Sequence, residues 1–200
     1  MKIEIFVEGG GNQAVTRARC RQAFSTYCNK VAPTHPKPTI VPCGGRADAF
    51  SSFLLALTRD DRNTIFVLLV DSEEAVTSTT TVLHLSLRDK WVFPQLGNHR
   101  VFLMVQAMEA WFLADRATLA AFYGTGFRRN SLPGSEENIE AIRKGDLEPS
   151  LKRASKDTTK GEYHKTKHGF ALLALLDPSR VENASLNAAA LHQFLRGQIP

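Results

Sequence analysis

The chain has 200 residues, of which 43% are apolar and 22% charged, close to the averages for a folded globular domain. This balance excludes a disordered chain, and no apolar run approaches the roughly 20 residues of a membrane span. Twenty-five Lys and Arg against 20 Asp and Glu leave +5, by itself a weak pointer toward nucleic acid. The first residues carry no apolar leader and no small-residue cleavage site, so secretion is not expected. Cys20, Cys28 and Cys43 form neither a disulfide framework nor a zinc spacing. They read as small buried hydrophobes in a reducing, cytoplasmic setting.

Lys2–Val7 alternates polar and apolar residues and runs into Glu8-Gly9-Gly10-Gly11, which predicts a strand ending in a tight turn. Residues 13–30 predict an amphipathic helix with Val15, Ala18, Phe24 and Tyr27 on its apolar side and Asn12 as N-cap. A proline-rich stretch ends it. A short strand over 39–42 follows, then a helix over 46–58. Residues 64–70 (TIFVLLV) are apolar throughout, as a strand covered on both faces requires. A helix over 80–90, a buried strand over 101–105 and a helical piece over 107–113 complete a β-α alternation. That order predicts an α/β fold, Rossmann-like, with a mostly parallel sheet between helices.

After residue 115 strand-like runs vanish. Helical pieces are expected over 118–123, 137–144, 149–154, 169–176 and 186–196. A basic stretch includes Lys152, Arg153, Lys156, Lys160, Lys165 and Lys167, with His164 and His168 interleaved. The expected organisation is an α/β body over 1–115 and a helical C-terminal extension over 116–200, packed on the same domain.

In open parallel sheets, ligands bind beyond the carboxyl ends of the strands. Here Glu8, Asp71 with Glu73, and Glu109 each follow an apolar strand at that edge. Carboxylates gathered there repel unless a cation lies among them, and hard oxygen donors select Mg²⁺ or Mn²⁺. Ser72 spaces Asp71 and Glu73 so that both can face one ion, which could polarise a phosphodiester. The glycine turn lacks both GxGxxG and GK[ST], and Glu8 at its start would repel phosphate without metal. Arg46, at a strand-to-helix turn, together with Lys160, Lys165 and His168, is a candidate phosphate contact. Trp111 reads as core, and Asp115 as the N-cap of the next helix.

The pair Val7-Glu8-Gly9-Gly10 and Val70-Asp71-Ser72-Glu73 on an α/β body resembles the Toprim domain of topoisomerases, primases and OLD-type nucleases. More closely, the segment from Val105 to Asp115, with its Glu109-Ala110-Trp111 core, is similar to the signature of the stand-alone Toprim-like DUF4276 family. Lys160-Gly161-Glu162-Tyr163-His164-Lys165 resembles that family's later lysine motif, and the resemblance covers essentially the whole chain. It departs at Glu73, where Toprim domains usually carry Asp.

The resemblance implies acid/base or metal duty for Glu8, metal ligation by Asp71 and Glu73, and a further ligand in Glu109. Lys165 would be catalytic. It further implies a Mg²⁺-dependent nuclease acting on DNA or RNA, with an ABC- or AAA-type ATPase partner in a prokaryotic defence setting. Two other readings stay open: a non-catalytic binding subunit that keeps the Toprim shape, and a small-nucleotide phosphohydrolase. Topoisomerase activity is not expected, because no separate tyrosine-bearing strand-passage domain is present.

Overall fold

A computed structural model describes residues 1–95 and 99–197, with the side chain of residue 99 left out. Four strands, β1 (Lys2–Val7), β2 (Thr39–Pro42), β3 (Thr64–Asp71) and β4 (His99–Met104), pair in the order β2-β1-β3-β4, all parallel. The α/β fold with a parallel sheet between helices is thus present. Parallel pairing sends every strand end to one edge, and the register aligns Val7 with Leu69 and Asp71 with Met104. Residues directly after β1 and β3 therefore meet.

The pleat of β3 explains the layers. Phe66, Leu68 and Val70 face one core with α2 (Arg46–Leu57) and α3 (Thr81–Asp89), while Val67 and Leu69 face the other. That larger core takes α1 (Ala14–Val31), α4 (Glu109–Ala114), α5 (Arg116–Tyr123), α6 (Lys144–Ser155), α7 (Phe170–Leu175), α8 (Pro178–Ala184) and α9 (Leu186–Leu195). The C-terminal helices thus share a core with the sheet. Trp111 is fully buried and stacks on Tyr27 with ring centroids 5.2 Å apart. All three cysteines are buried and unpaired. No helix among the described residues is long and apolar enough to cross a membrane.

Several boundaries differ from the sequence reading. Gln13, not Asn12, occupies the N-cap of α1, and the buried stripe is Cys20, Ala23, Phe24, Tyr27, Cys28 and Val31. Val15 and Ala18 are exposed, and the buried positions of α1 begin at Cys20. The expected 137–144 helix shrinks to one 3-10 turn, Ile139–Ala141, and α6 starts well before Pro149, which it carries inside. α8 was not expected; Asp177 caps it by accepting from Ser179 N, with Pro178 at its first turn. Asp115 caps α5 as expected, accepting from Thr118 N at 3.1 Å, and also takes the Asp177 amide at 3.0 Å.

The same core holds a buried histidine. His192 Nδ1 faces Glu182 at 3.3 Å and Nε2 meets the Tyr27 hydroxyl at 3.1 Å. One neutral tautomer serves both, with Nδ1–H donating to Glu182 and Nε2 accepting from Tyr27. Burial lowers its pKa to about 4, with Arg196 adding to that effect and Glu182 opposing it. The folded pKa lies below the unfolded one, so between them the unfolded chain binds the extra proton. Stability therefore falls as pH drops from about 6.5 to about 4, by about 1.4 kcal/mol per unit. Unfolding free energies from urea titrations at pH 7 and pH 5 should differ by about 2 kcal/mol from this group, and His192→Gln should flatten the difference. An unchanged slope in His192→Gln would assign the acid sensitivity elsewhere.

Candidate metal centre

Glu8 leaves β1 where its amide donates to Leu69 O at 3.2 Å, so its direction is set by the central pair of strands. The turn beyond it is made from glycines. Gly9 and Gly44 exchange two backbone hydrogen bonds of 2.8 Å, and Gly10 at φ +86 would bring a Cβ within 3.0 Å of Arg17 Cα. Only a residue without a side chain lets the loop pass α1 this closely.

Asp71 ends β3 and is buried, with 3% of its surface exposed. Its Oδ1 accepts from Met108 N at 2.8 Å, and its own amide donates to Glu8 Oε2 at 3.3 Å. Ser72 is held from both sides, by Ser72 N to Met104 O at 3.0 Å and by His84 Nε2 on Ser72 O at 3.0 Å. Glu73 then adopts φ +71, an uncommon conformation for a residue with a side chain, with its amide on Gln106 O at 2.8 Å. Strain of this kind costs on the order of 1 kcal/mol and gathers at functional sites.

These constraints bring one carboxylate oxygen each from Glu8, Asp71 and Glu73 within 4.8 Å of one another. Burial raises the Glu8 pKa, with Arg46 opposing and Glu73 adding to the rise. Burial also pushes Asp71 up to about 8; Glu8 and Glu109 reinforce this, against Lys165 and the Met108 amide. Burial first, and neighbouring carboxylates second, thus disfavour the charged forms of Glu8 and Asp71. All donors are carboxylate oxygens, the set that fits Mg²⁺ or Mn²⁺.

Glu109 lies outside this group and one step behind it. Its Oε1 accepts from the Tyr163 hydroxyl at 3.0 Å and faces Lys165 Nζ at 3.5 Å. It orients Lys165 instead of joining the expected ligand set. Burial would lower the Lys165 pKa, yet Glu109, Asp71 and Glu8 together raise it. Lys165 starts a π-helical turn, Lys165–Gly169, that leads into α7. With Thr166, Phe170, Met108 and the glycine turn it lines a cleft of 270 Å³ over Glu8 and Asp71.

Arg46 reaches the centre, but as a brace. Its guanidinium donates to Asp89 at 2.7 and 3.2 Å, stacks over Trp91 at 4.9 Å and donates to the Asp71 carbonyl. It also faces Glu8 at 3.7 Å. Two expected phosphate contacts do not reach the cleft. Lys160 places its ammonium 5.0 Å from the Phe122 ring, and His168 is 3% exposed, packed against Phe122, Tyr123 and Tyr163. The His164 amide and Tyr123 hydroxyl both meet His168 Nδ1, at 3.2 Å each, so this ring is a structural pin.

Sequence reasoning passed over His84, Gln106, Lys144 and Tyr163. Lys144 pairs with Glu73 Oε1, while Arg88 approaches Oε2 at 3.6 Å. Gln106 Oε1 accepts from Lys144 N at 2.7 Å and so ties that lysine to the acidic loop. Gln106 and Tyr163 lie inside the two family-like motifs but had no role assigned, His84 and Lys144 lie in neither, and each is defined by a partner well separated in sequence.

The fold and this rim define an α/β protein with an acidic, metal-competent cleft at the carboxyl edge of a parallel sheet. A family model described as "Domain of unknown function (DUF4276)" matches residues 7–196, and the chain belongs to that family. Comparison with curated proteins and with solved structures gave no match.

Proposed function

We propose that the protein is a Mg²⁺- or Mn²⁺-dependent, Toprim-like nuclease that hydrolyses phosphodiester bonds in DNA or RNA. The observation that carries this reading is the convergence of Glu8, Asp71 and Glu73 oxygens within 4.8 Å at the edge where parallel sheets bind ligands. A divalent ion bound there would polarise the phosphodiester and supply an activated water. The chain's own part is positional and electrostatic. Glu8, Asp71 and Glu73 hold the ion, the Arg46 and His84 contacts keep those acids in place, and Gly9 to Gly11 leave room for a phosphate backbone. Lys165, kept charged by three carboxylates, stands at the mouth to meet the negative charge that grows on the phosphate.

One observation favours a second reading, a binding subunit that keeps the shape without catalysis. Glu73, which stands in place of the usual aspartate, already has Lys144 and Arg88 as partners. The two readings separate on labelled oligonucleotides incubated with Mg²⁺, with Mn²⁺ and with EDTA. Cleavage in either metal and none in EDTA is expected. Intact oligonucleotide in both metals would leave the binding subunit, and co-purification would then identify its partner. An ATPase of ABC or AAA type belongs to the proposal in either case.

A further inference from the structure

A second groove lies beside the acidic cleft, on the far side of Thr166 and Phe170. It has a volume of 480 Å³ and is bordered by Arg19 and Gln22 of α1 and by Lys167. Among the described residues no carboxylate lines this groove.

Its walls carry one sign of charge. α1 holds Arg17, Arg19, Arg21 and Lys30 and has no Asp or Glu in 18 residues, and residues 163–176 likewise contain none. Three of the α1 cations are committed to carbonyls: Arg17 to Gly11, Arg21 to Ile40, and Lys30 to Ala174 and Leu176. The side chains of Arg19 and Lys167 are exposed and make no hydrogen bond or ion pair with the described residues. Two uncommitted cations therefore border a groove that shares the Thr166 and Phe170 wall with the metal-competent cleft. A chain of phosphates is the ligand that matches that series.

We infer that a single nucleic acid strand runs from the cleft along this groove, with the phosphates next to the scissile one on Lys167 and Arg19. The inference rests on the nuclease reading and gives it a substrate class. Asp71 is 3% exposed, so the scissile phosphate must dip toward a recessed carboxylate. A flexible single strand makes that dip more readily than a stacked duplex.

The test is fluorescence anisotropy of labelled oligothymidylate in Ca²⁺, across a range of salt, for wild type and the double variant Arg19→Glu/Lys167→Glu. The variant should bind at least about tenfold more weakly, and its log–log salt slope should fall by about 1.4, the share of two single-strand phosphate contacts. Lys37→Glu makes a control; it precedes β2 and so lies at the opposite edge of the sheet. It should stay within about twofold of wild type, and a duplex of equal length should bind at least about tenfold more weakly than the single strand. Wild-type affinity in the double variant, an equal loss in Lys37→Glu, or duplex binding as tight as single-strand binding would each overturn the inference. Binding in Ca²⁺ is read without hydrolysis. A wild type that binds the strand through Arg19 and Lys167 but cleaves nothing in Mg²⁺ would retain the groove and remove the nuclease.

Discussion

Asp71→Asn is expected to abolish both the metal-dependent rise in melting temperature and the cleavage of oligonucleotides, while leaving the fold intact. The asparagine keeps the shape and the oxygen that accepts from Met108 N, so what is lost is the negative charge and the second oxygen, which becomes an amide donor. In wild type an ion that binds only the folded state adds about 2.7 kcal/mol at a hundredfold excess over its dissociation constant. For a chain of this size that amounts to a rise of about 5–10 °C. Without metal the variant should melt at or above the wild-type temperature. Burial and the neighbouring Glu8 already favour the neutral form of Asp71, and Asn is neutral at every pH. Melts with EDTA, Mg²⁺ and Mn²⁺ on both proteins settle the matter. A metal shift of equal size in Asp71→Asn would remove Asp71 from the ligand set, and cleavage that survives would remove it from the chemistry.

Lys165→Met separates two roles that Asp71→Asn cannot. The methionine fills the aliphatic stem and removes the ammonium. If Lys165 meets charge on the phosphate, the turnover rate should fall about 10²- to 10³-fold, the usual loss of one preorganised electrostatic donor. Metal affinity should hold or tighten, because the ammonium lies among the same carboxylates a divalent ion would occupy and competes with it. The readouts therefore move apart: kcat down, and the metal concentration for half-maximal activity equal or lower. Lys165→Arg should restore part of the rate. A loss of metal binding with the rate per bound metal unchanged would make Lys165 a structural partner of Glu109 and nothing more.

The parts of the site that could be read in the sequence are those encoded by neighbours along the chain. Ile3 to Val7 and Ile65 to Val70 are strands because their apolar residues recur at the pleat period or run without interruption, and Glu8 and Asp71 follow them directly. Once the strands are parallel, those acids have to share an edge. The Asp115 cap was legible for the same reason, since it acts on the residue three positions ahead.

Other contacts depended on packing. Glu109 looks like a fourth ligand because it follows β4, but the first turn of α4 buries it against Tyr163, 54 residues away. His168 sits beside Lys165 in a basic segment, yet the π-turn sends one side chain to the cleft and the other into the core. Arg46 does reach the acids, although Asp89 and Trp91 take up its guanidinium.

The sequence alone determined the strand pattern, the parallel sheet between helices, the acids at its carboxyl edge and the burial of the cysteines and Trp111, because each follows from periodicity and residue chemistry over a few positions. Only the tertiary structure decided which cations reach those acids, which histidines are pins, and where the C-terminal helices meet α1. Those outcomes depend on side-chain directions across elements separated by tens to more than a hundred residues, such as Tyr27 with His192, a pairing that no local pattern encodes.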